Sequence, residues 1–216
     1  SQAARMQAVM HETVGEVGRV VAAEGIECDF AHGGYLSLAR SQTQLTRAHE
    51  HVEHLHSYGF TDDDYRLLDE SETTERCAAA DHIGGSFTPH CAAIHPARLA
   101  RGLARVVERA GATIYEHTPV VELSPRTVRT HLGTITADVV VRATEAFTPS
   151  LPGERRSIAP VYSLMIATEP LPESFWQQVG LHDRATFNDG RHMIVYGQRT
   201  TDDRFAFGGR GAWYHW

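Results

Sequence analysis

Several familiar sequence motifs are missing from this chain of 216 residues. It has no Gly-x-Gly-x-x-Gly fingerprint, Walker sequence, Gly-x-Ser-x-Gly elbow or Cys-x-x-Cys pair. Dinucleotide-binding, phosphotransfer, serine-hydrolase and thiol-redox functions therefore lack their usual signatures. The three cysteines, Cys28, Cys77 and Cys91, are odd in number and widely spaced, which fits neither a disulfide framework nor a zinc-binding pair. We therefore expect a reducing, cytoplasmic compartment.

Basic charge and long apolar runs are also scarce. The formal net charge is -7 and the pI is about 6.0, so the chain has no basic field for a phosphate backbone and we expect no nucleic-acid partner. The longest apolar run, near residues 135–141, is too short to cross a bilayer, so we expect no membrane insertion. The chain starts in a helical pattern without a methionine and stops within the aromatic run WYHW, which predicts a piece of a longer protein.

Hydrophobic patterning predicts both helices and strands. Helices are expected at residues 3–24, 42–58 and 96–110, where apolar residues recur every three or four positions, with a short one near residues 65–68. Strands are expected at residues 29–39 and 91–94, in a hairpin series over residues 112–144 that ends in a buried run at 139–141, and after residue 157. The dipeptide Gly33-Gly34 predicts a bulge or turn, and Asn188-Asp189-Gly190 predicts a turn between strands.

A histidine-rich stretch, HEHVEHLH, lies on the second predicted helix. Its histidines are His49, His51, His54 and His56. At about 100° per residue, His51 and His54 share one face and His49 pairs with His56, so three ligands do not converge as they do in a zinc helix. We interpret this stretch as a solvated polar face, with metal binding as the disfavoured alternative, and we predict no metal site.

Two further side chains have both a structural and a functional interpretation. His95 precedes Pro96 at the start of a helix, which favours a capping role over a place in a site. Arg210 lies in the run FGGRG, where it is either a binding group for an anionic substrate or an ordinary turn arginine.

Aromatic residues on strands are more often core than pocket-lining, and the chain has four tyrosines for which both roles stay open: Tyr35, Tyr162, Tyr196 and Tyr214.

The middle of the chain carries a family resemblance. The runs HCAAIHPARLARGLARVVERAGATIYEHTPVVEL, VRTHLGTITADVVVRATEAFTPSLPG and APVYSLMIATEPL resemble the FAD-dependent oxidoreductases of the D-amino-acid oxidase, glycine oxidase and sarcosine oxidase family. Within it they look most like the γ-glutamylputrescine-oxidase-like members. The resemblance extends to FAHGGYLSLARS and DDRFAFGGRG. It implies an α/β plus α+β fold, in which a partial Rossmann-like FAD domain is combined with a mixed-sheet substrate domain.

The resemblance also implies a domain organisation. Residues 1–28 and 87–156 correspond to parts of the FAD domain, and residues 29–86 and 157–216 to the substrate domain. The family's glycine-rich first turn and its C-terminal flavin-contacting segment have no counterpart in this sequence. The chain is therefore expected to be a fragment, inactive by itself, of an enzyme that binds FAD.

Four cofactor contacts are implied by the resemblance. The family's T-P-V strand presents backbone groups to the adenine, which points to Val120. Its Ala-Thr-Gly turn after the last buried strand corresponds to Ala143, Thr144 and Glu145. Since Glu145 replaces the usual glycine, its carboxylate is expected to turn away from the pyrophosphate or to pair with a cation such as Arg142 or Arg155. The resemblance names no catalytic side chain.

The expected parent reaction is the oxidation of a C–N bond in an amine or amino acid, with Arg210 as a candidate substrate-binding residue. The absent fingerprint leaves a second hypothesis, a flavin-free module that binds a small molecule or a partner. A third expectation is a homo-oligomer formed through an exposed sheet edge.

Overall fold

The computed structural model describes residues 1–159 and 161–210. Its helices are α1 (Gln2–Ala23), α2 (Gln42–His56), α3 (Glu70–Arg76), α4 (Pro96–Arg109) and α5 (Glu173–Val179), with a 3₁₀ helix at Glu145–Ser150. Its strands are β1 (Tyr35–Ala39), β2 (Arg66–Leu68), β3 (Gly84–Thr88), β4 (Val120–Ser124), β5 (Thr127–Thr130), β6 (Thr134–Thr136), β7 (Ser163–Ala167), β8 (Thr186–Asn188), β9 (Val195–Arg199) and β10 (Phe205–Arg210). The chain forms two compact units, one containing Ser1–Val106 with the chain from Ser163 onward, the other Val107–Tyr162.

The first unit is built on a seven-stranded mixed sheet. The strand order is β2-β3-β1-β8-β9-β10-β7. The β1 and β8 strands pair in parallel, and the other neighbours pair antiparallel. Strands from before residue 90 and after residue 162 thus share one sheet. The α/β prediction with a mixed sheet is confirmed.

The core of this unit lies on one face of the sheet. Side chains alternate along a strand, and along β1 the inward positions are Leu36 and Leu38, which are almost completely buried. They pack in one cluster with Phe187 of β8 and with Trp176 of α5, which is fully buried. The α5 helix is short, so this packing rather than helix propensity holds it in place.

Side-chain caps fix the beginnings of α1 and α3. The Ser1 hydroxyl accepts a hydrogen bond from the Ala4 amide at the start of α1. At α3, the Asp69 carboxylate accepts from the Glu72 amide at 2.8 Å, and the Glu72 carboxylate accepts from the Asp69 amide at 3.0 Å. This reciprocal capping box satisfies two donors that a helix otherwise leaves free.

The structure corrects three sequence predictions in the first unit. The short helix expected at residues 65–68 is strand β2, because pairing with β3 in the register Leu67↔Ser86 supplies the partners that a helix would otherwise supply internally. The strand expected at residues 91–94 reduces to one isolated bridge, Ala31↔Ala93. The strand expected at 29–39 begins only at Tyr35, because Gly34 has a φ of 81°, outside the extended region.

The second unit contains a three-stranded antiparallel sheet, β4-β5-β6. The buried strand expected at residues 139–141 is wrong for the described chain, because Val139 and Val141 are 76% and 80% exposed and lie outside every strand. An apolar run becomes a strand only where a neighbour accepts and donates its backbone hydrogen bonds. Within the described residues, no strand provides that neighbour.

The three cysteines differ in burial. All three are free, and burial raises the pKa of the Cys77 thiol to about 11. We expect a thiol reagent at pH 8 to modify Cys91, which is partly exposed, much faster than Cys77 or the buried Cys28, because the reactive species is an accessible thiolate. Ellman titration of the native chain, followed by titration in denaturant, measures this difference. Equal rates for all three thiols in the native chain would contradict it.

Candidate functional site

The mixed sheet has a polar face opposite its core face. Directly paired residues point to the same side of a sheet, and the strand registers place Tyr35 beside Thr88 and Thr186, and Ser37 beside Ser86 and Asn188. The same side continues across β9 and β10 through the following residues: Tyr196, Gln198, Ala206, Gly208 and Arg210. Hydroxyls, amides and one guanidinium thus predominate on this face, although Leu67, paired with Ser86, packs against a hydrophobic cluster of α2 here. Such a surface is suited to binding a small polar ligand.

Asn188 organises the middle of this polar face. Its side-chain amide donates to the Tyr35 hydroxyl, while its carbonyl oxygen accepts from the Ser37 hydroxyl at 3.3 Å and from the Gly190 amide at 2.7 Å. Asn188 is 6% exposed, so these bonds satisfy a buried amide. Burial raises the pKa of Tyr35, which keeps its phenol protonated at neutral pH. The sequence assigned Asn188 only to a turn and missed this role.

A cavity of about 260 Å³ lies between the polar face and α2. Its α2 wall includes Gln44, Arg47 and His51. Gln44 is fixed by donating to the Asp189 carbonyl at 3.2 Å, and the Arg47 guanidinium donates to the Gly190 carbonyl at 3.2 Å. The cavity therefore combines hydroxyl groups on the sheet with a cationic group on the helix. Its size suits a ligand of a few heavy atoms rather than a nucleotide.

The structure places His95 before α4, on the wall of a cavity of about 470 Å³. Its Nδ1 accepts a hydrogen bond from the Arg98 amide at 3.4 Å, at the start of α4. This confirms the capping interpretation. The same corner holds a bidentate contact, in which Arg98 donates to both carboxylate oxygens of Asp29 at 2.8 and 2.9 Å. The Arg184 guanidinium donates to the Asp29 carbonyl at 3.0 Å. Both arginines near the start of α4 therefore have hydrogen-bond partners on Asp29.

The predicted cofactor residues lie in the second unit. Val120 is the first residue of β4 and pairs with Thr130. Ala143 and Thr144 directly precede the 3₁₀ helix. The Thr144 and Thr148 hydroxyls form a hydrogen bond of 2.8 Å, and Thr148 is buried. This contact fixes the turn that the resemblance assigns to the cofactor.

Glu145 occupies a backbone conformation that favours glycine. Its φ is 39°, in the left-handed region that residues with a side chain rarely adopt. Its carboxylate accepts a hydrogen bond from the Ala146 amide, and Arg142 forms an ion pair with Glu154 at 2.5 Å. The Glu145 carboxylate is thus turned onto the adjacent backbone, while Arg142 pairs with Glu154. Residue 145 therefore carries a side chain in a backbone conformation that usually favours glycine.

The second unit also has a cavity of about 530 Å³. Charged side chains on its wall include Arg126, Asp138 and Arg142, with Val139 beside them. None of the predicted cofactor residues, Val120, Ala143, Thr144 or Glu145, lines it. Its larger volume does not by itself identify it as a cofactor site.

Sequence reasoning missed one cluster of possible ligands. His11, Asp64 and His90 each offer an atom within 4.8 Å of the others, among the residues that the structure describes. Burial, with the neighbouring His90, lowers the pKa of His11. These residues come from three distant segments, so no spacing motif signals them. Four histidines on α2 drew attention in the sequence: His49, His51 and His54 are exposed, whereas His56 is partly buried.

Comparisons with known proteins match the whole sequence to one family. The family described as FAD dependent oxidoreductase (DAO) matches residues 1–216. Probable oxidoreductase OrdL of Haemophilus influenzae is 27% identical over 207 residues, covering 91% of this chain and 47% of the relative. Gamma-glutamylputrescine oxidoreductase of Escherichia coli is 31% identical over 193 residues, covering 85% of this chain and 43% of the relative. The chain spans about half the length of these relatives.

Solved structures share the fold. L-proline dehydrogenase from P. horikoshii has a TM-score of 0.75 at 19% identity, with 94% of this chain and 55% of that chain covered. Glycine oxidase from Bacillus cereus has a TM-score of 0.74 at 17% identity, with 96% of this chain and 58% of that chain covered. In residues 1–159 and 161–210, no helix is both long and apolar enough to cross a membrane. By the family match over its full length, the chain belongs to the FAD-dependent oxidoreductases of the DAO family.

Proposed function

We propose that this chain is part of a longer flavoprotein that oxidises a C–N bond of an amine or amino acid. The observation that carries the proposal is the polar sheet face with its cavity beneath α2, which offers hydrogen-bonding groups and a cation to a small polar ligand. The names of similar proteins, gamma-glutamylputrescine oxidoreductase, glycine oxidase and L-proline dehydrogenase, support an amine or amino acid as the substrate class.

The residues present fit one part of a flavin site. Bound FAD would supply the hydride-accepting chemistry. In the proposal, the backbone at Ala143, Thr144 and Glu145 approaches the cofactor, because the left-handed φ at Glu145 keeps a glycine-like turn and its carboxylate is turned onto the Ala146 amide. Val120 would contact the adenine through its backbone. Residues 1–28 and 87–156 would belong to the FAD domain, and residues 29–86 and 157–216 to the substrate domain.

The substrate class is tested with the purified longer protein under anaerobic conditions. Amines, amino acids and hydroxy compounds of matched size are mixed separately with the oxidised enzyme, and bleaching of the flavin absorbance is followed by stopped flow. The proposal expects rapid bleaching by at least one amine or amino acid. Bleaching by hydroxy compounds alone would replace C–N oxidation with C–O oxidation while leaving the family membership intact.

Arg210 is proposed to bind an anionic group of the substrate. It ends β10 on the polar face, and its side chain is exposed to incoming ligands. In the longer protein, Arg210→Ala is expected to raise KM about tenfold or more for carboxylate-bearing substrates, because a charge-assisted hydrogen bond is lost. Arg210→Lys should recover part of that loss.

Steady-state kinetics on paired substrates checks the Arg210 prediction. An amine that lacks a carboxylate is the control and should keep its KM in both variants. An equal rise in KM for the charged and uncharged substrates would contradict a role in carboxylate binding and favour an ordinary turn arginine.

A second candidate function is binding without flavin chemistry. It is favoured by the position of the cavity of about 260 Å³, which lies wholly within the first unit. Calorimetric titration of this chain with polyamines and amino acids tests it. Saturable heats that Arg47→Ala abolishes would support this function, and uniformly null heats would exclude it for those ligands.

A cytoplasmic location and self-association are also proposed. The three free cysteines support a reducing, cytoplasmic environment. The edge strand β7 supports self-association, because Leu164, Met165 and Ile166 are all exposed. Light scattering at high concentration tests this assembly, and a monomeric mass throughout the concentration range would exclude it.

A further inference from the structure

The fold brings two histidines and one carboxylate together at a junction in the first unit. His11 belongs to α1, Asp64 precedes β2, and His90 follows β3. One ligand atom from each lies within 4.8 Å of the others. We propose that His11, Asp64 and His90 bind a divalent transition-metal ion of the Zn²⁺ type. None of the three residues lines the cavity beneath α2, although the neighbouring Tyr65 does.

Asp64 is already oriented for this role. Its Oδ2 accepts a hydrogen bond from the Thr61 amide at 3.0 Å, and its Oδ1 lies 2.8 Å from Nε2 of His90. The first contact fixes the carboxylate, and the second directs its other oxygen towards the histidine pair. In known metal sites, hydrogen bonds from groups that do not bind the metal orient the ligand side chains in this way. Asp64 and His90 have side chains that are 27% and 25% exposed, so an ion can reach them from solvent.

His11 is held by its neighbours on the other side. The Gln7 amide donates to the Tyr65 hydroxyl at 2.6 Å, and that hydroxyl lies 2.5 Å from Nε2 of His11. The Tyr65 hydroxyl thus occupies Nε2 of His11, and a metal bound at this nitrogen must displace that contact. The freed tyrosine hydroxyl or a water is then available as a fourth ligand in a tetrahedral site.

The imidazoles of His11 and His90 require a small rearrangement to share an ion. Their rings stack with centroids 3.7 Å apart and an interplanar angle of 6°. The lone pairs of parallel rings do not converge on one point, so one ring must rotate as the ion enters. Tetrahedral bonds of about 2.0–2.2 Å bring ligand atoms to within roughly 3.5 Å of one another. The expected change is therefore a loss of stacking and a separation of Asp64 Oδ1 from His90 Nε2, which are now 2.8 Å apart, to roughly 3.5 Å.

The ligand set selects the class of ion. Two imidazoles and one carboxylate suit Zn²⁺, Co²⁺ and Ni²⁺, whereas Mg²⁺ and Ca²⁺ prefer oxygen ligands alone. A bound ion would connect α1 to the loops that flank β2 and β3. Metal binding is therefore expected to stabilise the first unit as a whole, since an ion that binds only the folded state raises its stability.

Cobalt titration of this 216-residue chain tests the proposal. Co²⁺ has visible absorption bands whose intensity reports tetrahedral geometry, and the proposal expects saturation at one ion per chain. Zn²⁺ should displace the bound Co²⁺ and raise the midpoint of thermal unfolding. A wild-type chain with no saturable Co²⁺ absorption would overturn the proposal.

Matched histidine variants locate the ion. The cluster variant carries His11→Gln with His90→Gln, and the control carries His49→Gln, His51→Gln and His54→Gln on α2. The proposal expects the cluster variant to lose Co²⁺ absorption and the Zn²⁺-dependent rise in melting midpoint, while the control keeps both. Retention by the cluster variant, or loss by the control alone, would overturn it.

Asp64→Asn provides a milder test that does not depend on the double variant folding. The amide retains the size of the carboxylate but weakens its bond to the metal, so at least a tenfold rise in the Kd for Co²⁺ is expected, with the far-UV circular dichroism unchanged. An unchanged Kd for this variant would remove Asp64 from the site and overturn the proposal as stated.

Discussion

After incubation with FAD and desalting, this chain is expected to emerge without flavin absorbance, whereas the longer protein treated in the same way keeps it. The sequence has no glycine-rich βα turn, and that turn supplies oriented helix amides to the pyrophosphate of a dinucleotide. The turn at Ala143 and Thr144 offers only the end of one segment. In addition, Val139 and Val141 beside it are exposed rather than packed in a sheet.

Comparing flavin retention by the two proteins tests whether the residues of this chain are sufficient to hold FAD. If only the longer protein retains flavin, the half site proposed at Val120, Ala143, Thr144 and Glu145 needs segments from outside this chain. Stoichiometric FAD on this chain alone would show that the half-site account is wrong. If the longer protein also releases FAD, the positions proposed for the cofactor contacts are wrong, while the family match over residues 1–216 stands.

The helices were the easiest elements to predict. The α1 and α4 helices follow apolar spacing, and local signals mark their ends, such as Gly25 after α1 and Pro96 at the first position of α4. Capping and propensity act within a few residues. These signals are therefore fully present in the sequence, and the observed bounds agree closely with the predicted ones.

The failures concern strands, whose partners lie far away along the chain. The stretch at Leu67 and Leu68 has no local breaker, and only its pairing with β3 makes it a strand. The run at Val139 and Val141 has the composition of a buried strand, but composition does not provide a neighbour. Strand formation depends on tertiary partners more than on intrinsic preference.

The candidate sites likewise divide into those marked by a local motif and those formed by contacts between distant segments. Family resemblance pointed to the turn at Thr144, because that turn is a contiguous motif. The contact of Asn188 with Tyr35 and Ser37 spans more than 150 residues. The His11, Asp64 and His90 cluster likewise joins three separate segments. Neither arrangement has a spacing that could be recognised before the topology of the sheet is known.

Replacing Trp176 by alanine is expected to lower the free energy of unfolding by about 3–5 kcal/mol, as for other large core truncations. Trp176 is fully buried in the cluster that joins α5 to the sheet. Its ring lies 5.1 Å from that of Phe175 and 6.0 Å from that of Phe205, the Arg199 guanidinium lies 4.8 Å from its centre, and its indole N–H donates to the Asp203 carbonyl at 3.3 Å. Alanine removes all of these contacts and leaves a cavity.

Urea unfolding followed by circular dichroism measures this loss, and two variants serve as controls. Trp176→Phe keeps an aromatic ring but removes the indole hydrogen bond, so its loss should be clearly smaller. Glu50→Ala changes an exposed residue on α2 and should alter stability by no more than about 0.5 kcal/mol. A Trp176→Ala loss as small as that of Glu50→Ala would show that the core face does not hold the sheet together. Because domains are stable by only about 5–15 kcal/mol, a loss of the expected size would remove much of the stability that keeps the opposite, polar face in register.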